Sequence, residues 1–213
     1  MAQKNFHRPS VINSIAVSTP HHPQVYNRVF YNLLRLLKSR FNQASVDVLL
    51  HSEAAWLDKN LLHDLDVQLI DISGHDTSAL DRYADYDIHV GYRVHGHVSA
   101  LSARIPSYLI ATDGRGSGYG LTIGEDAVFQ GWSCRGALSS FARMRTSVRN
   151  RLPKYTARRR PSQPSSYACQ KVNFHVIDSI EADVADCFKR FSGTPERLDA
   201  VVAKVEQLFE RID

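Results

Sequence analysis

Five short runs rich in β-branched residues alternate with stretches of helical period through the first half of the chain, and no two-residue hairpin turn joins any of them. This alternation constrains the fold more than any other feature. Parallel strands cannot be connected by tight turns; each connection must cross a sheet face, usually as a helix. The strand runs are residues 11–18 (VINSIAVS), 46–50 (VDVLL), 67–72 (VQLIDI), 87–91 (DIHVG) and 107–111 (SYLIA). Between the first two, Tyr26, Val29, Phe30, Leu33, Leu36 and Leu37 form one apolar stripe and Arg28, Asn32, Arg35 and Lys38 the opposite one. That spacing predicts an amphipathic helix over 23–41, with Pro23 suited to its first turn. Shorter helices are expected over 53–62, over 76–83 with Asp76 or Thr77 as cap, and over 94–105. The expected class is α/β, a doubly wound, mostly parallel Rossmann-like sheet.

After Thr112 the pattern changes. The run DGRGSGYGLTIG is glycine-rich, and Gly114, Gly116, Gly118 and Gly120 do not match the spacing GxGxxG. A flexible loop is expected there. Arg143, Arg145, Arg149, Arg151, Lys154, Arg158, Arg159 and Arg160 follow with no acid among them, and RRRPSQPSSY, which begins with the last three of these, is expected to be a mobile loop. Removing those eight cations from the net charge of +4 leaves −4, so the basicity belongs to one segment. A nucleic-acid-binding fold is not expected; a solvated segment, or peripheral contact of 143–160 with an anionic polymer or membrane surface, stays open. Two helices are expected to close the chain. One carries Ile180, Val184, Cys187, Phe188 and Phe191. The other, started by Thr194 and Pro195, carries Leu198, Val201, Val202, Val205, Leu208, Phe209 and Ile212. The organisation read from this is 1–125 for the α/β domain, 126–175 for the irregular basic segment and 176–213 for the helices.

No apolar run reaches 18 residues and the N-terminus has no signal-like core, so a cytoplasmic setting is expected. Cys134, Cys169 and Cys187 are odd in number and widely spaced, which suggests neither a disulfide frame nor zinc. No metal and no cofactor is expected, although the His21–His22 pair is noted.

The stretch DIHVGYRVHGHVSALSARIP, 87–106, carries the chemistry. Val94, Val98, Leu101 and Ile105 are spaced for one helix stripe, expected to face the sheet. Tyr92 to His95 span the junction from strand to helix, where Arg93 and His95 can point the same way. Gly96 would let a ligand approach the backbone, and the helix start adds open amides. Arginine, histidine and free N–H groups at one point suit a phosphate or carboxylate. Ligands of open α/β sheets lie beyond the carboxyl ends of the strands. The polar residues there are Ser18, His51, Arg93 with His95, and Asp113 with Arg115. His89 is expected to be packed in its strand and His97 to lie on the helix surface.

The stretch GYRVHGHVSALSARIPSYLIATDGR resembles the polysaccharide pyruvyl transferase family, through Arg93-Val94-His95-Gly96, the small residues from Ala100 to Ala103, Ile105-Pro106, and Asp113-Gly114-Arg115. The likeness covers roughly 11–124, with VDVLLH also similar. It implies a single half of a GT-B-like architecture, and transfer of pyruvyl from phosphoenolpyruvate to a sugar hydroxyl pair of a surface polysaccharide or its precursor. Arg93 would hold the donor's phosphate or carboxylate, and His95 would bind it and donate a proton, work that suits histidine as a residue type. Ser18, His51, Gly96, Asp113 and Arg115 complete the expected substrate contacts. The implied partners are phosphoenolpyruvate, a glycan or lipid-linked sugar acceptor, and an N-terminal partner half or second copy. Arg115 stands where the family has a lysine, and Ser18-Thr19-Pro20-His21-His22 where it has an arginine-bearing segment. A nucleotide-sugar-binding glycosyltransferase-like domain, and a non-catalytic module docking through 143–160, are the other readings.

Overall fold

A computed structural model describes residues 6–21, 23–74, 77–123, 127–131, 166–194 and 196–200. The basic segment 143–160, Cys134, His22, the Asp76 cap, Pro195 and the apolar residues from Val201 onward lie outside these.

Six strands form one all-parallel sheet in the order β3-β2-β1-β4-β5-β6. They are β1 Ser14–Ser18, β2 Ser45–Leu50, β3 Val67–Asp71, β4 Ile88–Gly91, β5 Ser107–Ala111 and β6 Val128–Gln130. The connections are α1 Pro23–Arg40, α2 Lys59–Asp64, a 3-10 helix Thr77–Asp85, α3 Val94–Ser102 and α4 Gly114–Ile123. This is the doubly wound Rossmann-like order, and the chain reverses its direction of travel across the sheet between β1 and β4. The expected fold class is present.

The central strands β1, β4 and β5 are buried on both faces, which is why they read as nearly continuous apolar runs, while the edge strands β3 and β6 are only partly buried. Ile15, Val17, Val46 and Val48 pack to one side with Phe30, Leu33, Val176 and Ile180. Ala16 and Leu49 pack to the other with Tyr83, Tyr86 and Ala100. After β6 the chain returns as α5, Ser166–Ala185, laid against α1. Asn173 Nδ2 donates to the Val29 carbonyl at 2.9 Å and to Asn32 Oδ1 at 3.0 Å, and Arg40 meets Glu181 at 3.2 Å. The helix expected to carry Ile180 to Phe191 begins inside the segment expected to be irregular and ends at Ala185. Ile180 is fully buried on it, whereas Cys187 and Phe188, at φ 58° and 55°, break away from it, with Cys187 exposed and Phe188 and Phe191 buried past its end. Thr194 and residues 196–200 are helical, where the last helix was expected. No helix among the described residues is long and apolar enough to cross a membrane.

Several boundaries differ from those expected, each for a local reason. The first strand begins at Ser14, not Val11, because the Asp87 carboxylate takes the amides of Asn13 and Ser14 at 2.7 and 3.1 Å. The helix expected over 53–62 starts at Lys59. Asp58 caps it, accepting from the amides of Asn60 and Leu61 at 3.0 and 3.2 Å. The glycine-rich run is a helix rather than a loop. Asp113 is its cap, taking the Arg115 amide at 2.9 Å. Gly116 and Gly120 lie one turn apart on the face that meets β5 and β6. A Cβ on Gly116 would stand 2.8 Å from Ala111 Cβ, and one on Gly120 would stand 3.2 Å from Val128. Those glycines bring helix and sheet together instead of loosening the chain. In α3 the buried face is Gly96, His97, Ala100 and Leu101, with Val94 and Val98 only half-buried. The helix stops at Ser102, and Arg104, at φ 65°, turns Ile105 inward after it.

Candidate functional site

The carboxyl ends of β1 and β4 flank the point where the sheet order reverses. There β1 and β4 approach so closely that Gly91 is required: a Cβ would fall 2.2 Å from Ser18 Oγ and 2.6 Å from its amide nitrogen. Past that contact β4 turns into α3 through Tyr92 and Arg93.

Ser18, expected among the ligand contacts, has no exposed surface. Its Oγ accepts the amides of Tyr92 and Arg93 at 3.1 and 3.2 Å and lies 3.0 Å from His89 Nε2. With both lone pairs taken, the hydroxyl hydrogen goes to His89. His89 Nδ1 then carries hydrogen and donates to Ser107 Oγ at 2.7 Å, and Ser107 in turn donates to His97 Nδ1 at 2.6 Å. Ser18 is therefore a clamp on the turn, anchored through a buried chain of neutral groups. His97, expected on the helix surface, is fully buried at the end of that chain, edge-on to the Tyr119 ring with centroids 5.4 Å apart. Its Nε2 has no hydrogen-bond partner among the described residues. Burial holds both rings uncharged. The His97 pKa is pushed down to about 3, and His89 is lowered well below the usual histidine range, with the neighbouring histidines adding to the burial effect.

Arg93 occupies the N-cap of α3 without capping it through its side chain. Its guanidinium reaches back over β1 and β2. Nε donates to the Thr19 carbonyl at 3.1 Å, Nη1 to His21 Nδ1 at 2.9 Å and Nη2 to Ser52 Oγ at 3.1 Å. All three acceptors are neutral, and no carboxylate pairs with Arg93 among the described residues. A guanidinium carries five N–H donors, so two remain. Burial, and then the charge of Arg115, lower its pKa, which stays a group charged at neutrality.

His51 stands at the end of β2, its Nε2 2.6 Å from Tyr83 Oη. Burial, followed by the charges of Arg93 and His95, pushes its pKa down to about 4. His95 is exposed on the first turn of α3, and its side chain makes no hydrogen bond among the described residues. Gly96 serves packing rather than ligand approach, since a Cβ there would meet Tyr83 Oη at 2.4 Å. Asp113 and Arg115 are paired at 2.5 Å, which neutralises the charge Arg115 was expected to offer.

Thus Ser18, His51, Arg93, His95 and Gly96 converge at the switch point, with Ser18 and Gly96 shaping it from below. Thr19, Ser52 and Tyr83 were not read from the sequence as contacts of this cluster, and His21 was noted there only with His22 and as part of the segment that departs from the family. Strand-end position could have suggested Thr19 and Ser52; nothing local marks Tyr83. No group of three or more His, Cys, Asp or Glu residues able to hold a metal occurs among the described residues. A separate cavity of about 370 Å³ is lined by Phe129, His175, Asp178, Ser179, Ala182 and Arg190, none of them a predicted site residue.

No protein-family model matches the chain, and no curated protein matches it. Among solved structures it is similar to the glycosyltransferase SnogD from Streptomyces nogalater, at 13% identity and a TM-score of 0.37, over 94% of this chain and 47% of that one. The chain spans about half the length of that enzyme. Likeness at this level assigns neither family nor activity, and the pyruvyl transferase resemblance rests on the motif quoted above.

Proposed function

We propose that the chain binds phosphoenolpyruvate at the turn between β4 and α3, as the donor-binding half of a transferase that passes pyruvyl to a sugar hydroxyl pair. One observation carries this reading: Arg93 is a half-buried cation held by neutral acceptors, above an uncapped helix start, with no counter-charge among the described residues. A cation partly removed from water is costly unless an anion completes it. The amides of the first turn and the two spare guanidinium N–H groups suit a phosphate or carboxylate.

In this reading Arg93 holds the anion and His95, free of other bonds, delivers a proton to the methylene carbon. One sugar hydroxyl attacks C2, phosphate leaves, and the second hydroxyl closes the ketal. Of the two hydroxyl protons, one ends on the new methyl group and the other on phosphate. The acceptor, a glycan or lipid-linked sugar, would be enclosed by a second Rossmann-like half or a second copy of the chain. Contact of 143–160 with a membrane would place the acceptor within reach. Loss of the Arg93 charge and its hydrogen bonds is expected to weaken the donor about 10- to 100-fold, from the 1.5–3 kcal/mol typical of a hydrogen bond to a charged group.

Calorimetric titration with phosphoenolpyruvate tests this. Saturable binding to wild type, lost in Arg93→Ala and His95→Ala, is the expected result. Binding indifferent to Arg93→Ala, or none at all, overturns it. Selective binding of a nucleoside diphosphate would support the nucleotide-sugar reading instead.

A further inference from the structure

The polar contact at the base of the site that no sequence pattern marked is the one between His51 and Tyr83. We propose that Tyr83 is a positioning residue that fixes the tautomer of His51, so that His51 offers Nδ1–H to the anion at the α3 turn; this rests on the anion-binding reading above.

The donors and acceptors around His51 fix its tautomer. Tyr83 has no exposed surface, and His51 Nε2, at 2.6 Å, is the hydrogen-bond partner of its hydroxyl. If Nε2 carried the hydrogen, the phenolic hydrogen would be buried with no acceptor. A buried unsatisfied donor costs about 1–3 kcal/mol, whereas an unfilled oxygen lone pair is better tolerated. Tyr83 therefore donates to Nε2, and the imidazole hydrogen sits on Nδ1. Nδ1 has no hydrogen-bond partner among the described residues, and it is not one of the enclosed polar atoms that lack one, so solvent or a ligand reaches it.

The surroundings hold this arrangement in place. Tyr83 is edge-on to His89, with ring centroids 5.1 Å apart and planes at 90°. Gly96 leaves room above it: a Cβ would lie 2.4 Å from Tyr83 Oη and 3.3 Å from His51 Nε2. The Nε2 edge of the imidazole thus faces Gly96 in the first turn of α3, with Arg93 and His95 near enough to act on its charge. Burial, with Arg93 and His95 beside it, keeps the ring neutral at neutrality, and burial pushes the Tyr83 phenol up. A neutral N–H donor can bond a phosphate or carboxylate oxygen without adding a second charge beside Arg93.

Nitrogen-15 NMR of the histidine side chains reads the tautomer directly, with or without ligand. The expected wild-type spectrum shows His51 protonated at Nδ1, and Tyr83→Phe shifts it toward the Nε2–H form. An Nε2–H tautomer in wild type overturns the proposal whatever the protein binds. On addition of phosphoenolpyruvate the Nδ1 resonances should move, and Tyr83→Phe should weaken binding about tenfold. His51→Asn, whose amide nitrogen falls near the Nδ1 position, should retain more affinity than His51→Leu. Phosphoenolpyruvate that binds wild type without moving the His51 signals also overturns it. Failure of wild type to bind phosphoenolpyruvate counts against the pyruvyl reading alone. Inorganic phosphate then serves as probe with the same expected shift at Nδ1, and a missing shift at saturating phosphate rejects the proposal.

Discussion

Replacing Ser18 with alanine removes a single oxygen and should loosen the whole β4–α3 turn. In the folded chain that oxygen accepts the Tyr92 and Arg93 amides and anchors His89. The Arg93 amide would lose its acceptor outright. The Tyr92 amide would lose less, because it also reaches the Ser18 carbonyl at 3.3 Å. His89 Nε2 would be left buried without its donor. Counting about 1–3 kcal/mol for each buried group left without a partner, and discounting Tyr92, the expected loss is about 3 kcal/mol. Urea unfolding followed by circular dichroism reads it. With a slope of about 2.5 kcal/mol/M, the midpoint should fall by about 1 M. A midpoint within about 0.2 M of wild type, at unchanged slope, would refute the view that Ser18 clamps the turn.

Two further predictions concern buried ionisable groups. His89 and His97 are held neutral in the fold with lowered pKa values, so the unfolded chain binds protons that the folded chain does not. Their contribution is complete above about pH 6.5 and is lost as pH falls from there, at up to about 1.4 kcal/mol per pH unit for each ring. Urea midpoints should therefore drop between pH 7 and 5, and His89→Gln should show a shallower drop; an equal drop would contradict the assignment. Asp183 is buried on α5, where it accepts from Tyr108 at 2.8 Å and from Arg190 at 2.9 Å, and burial still raises its pKa. A raised carboxyl favours the fold at low pH and loses that contribution as pH rises. Arg190→Met should therefore lose more stability than wild type between pH 4 and 7, with a penalty of about 3 kcal/mol at neutrality.

The first five strand runs and the long first helix were legible from local period, and β5 lies within the bounds its sequence suggests, but β6 was not: its three residues are too few to show a period, and it is fixed by pairing with β5. What escaped was whatever depends on distant partners. The glycine-rich run is helical because Ala111 and Val128 require small residues opposite them and because Asp113 caps its start. His97 turned inward because Ser107, ten residues on, offers it a bond inside the sheet layer. That Arg93, His95 and His51 would meet at one end of the sheet was legible from their positions at strand ends. The contacts among these residues were not legible: Ser18 is buried and holds the Tyr92 and Arg93 amides, Gly96 packs on Tyr83, and Tyr83 reaches His51 from another connection altogether.

The proposed function requires an anion to bind at the switch point between β1 and β4, against Arg93 and the start of α3. Mapping backbone amide shifts during a titration with phosphoenolpyruvate tests it most directly. The account predicts saturable shifts centred on Val94, His95 and Gly96 and on Thr19 and His21, absent in Arg93→Ala. Shifts centred instead on the cavity beside His175 and Arg190, or unchanged by Arg93→Ala, would contradict it.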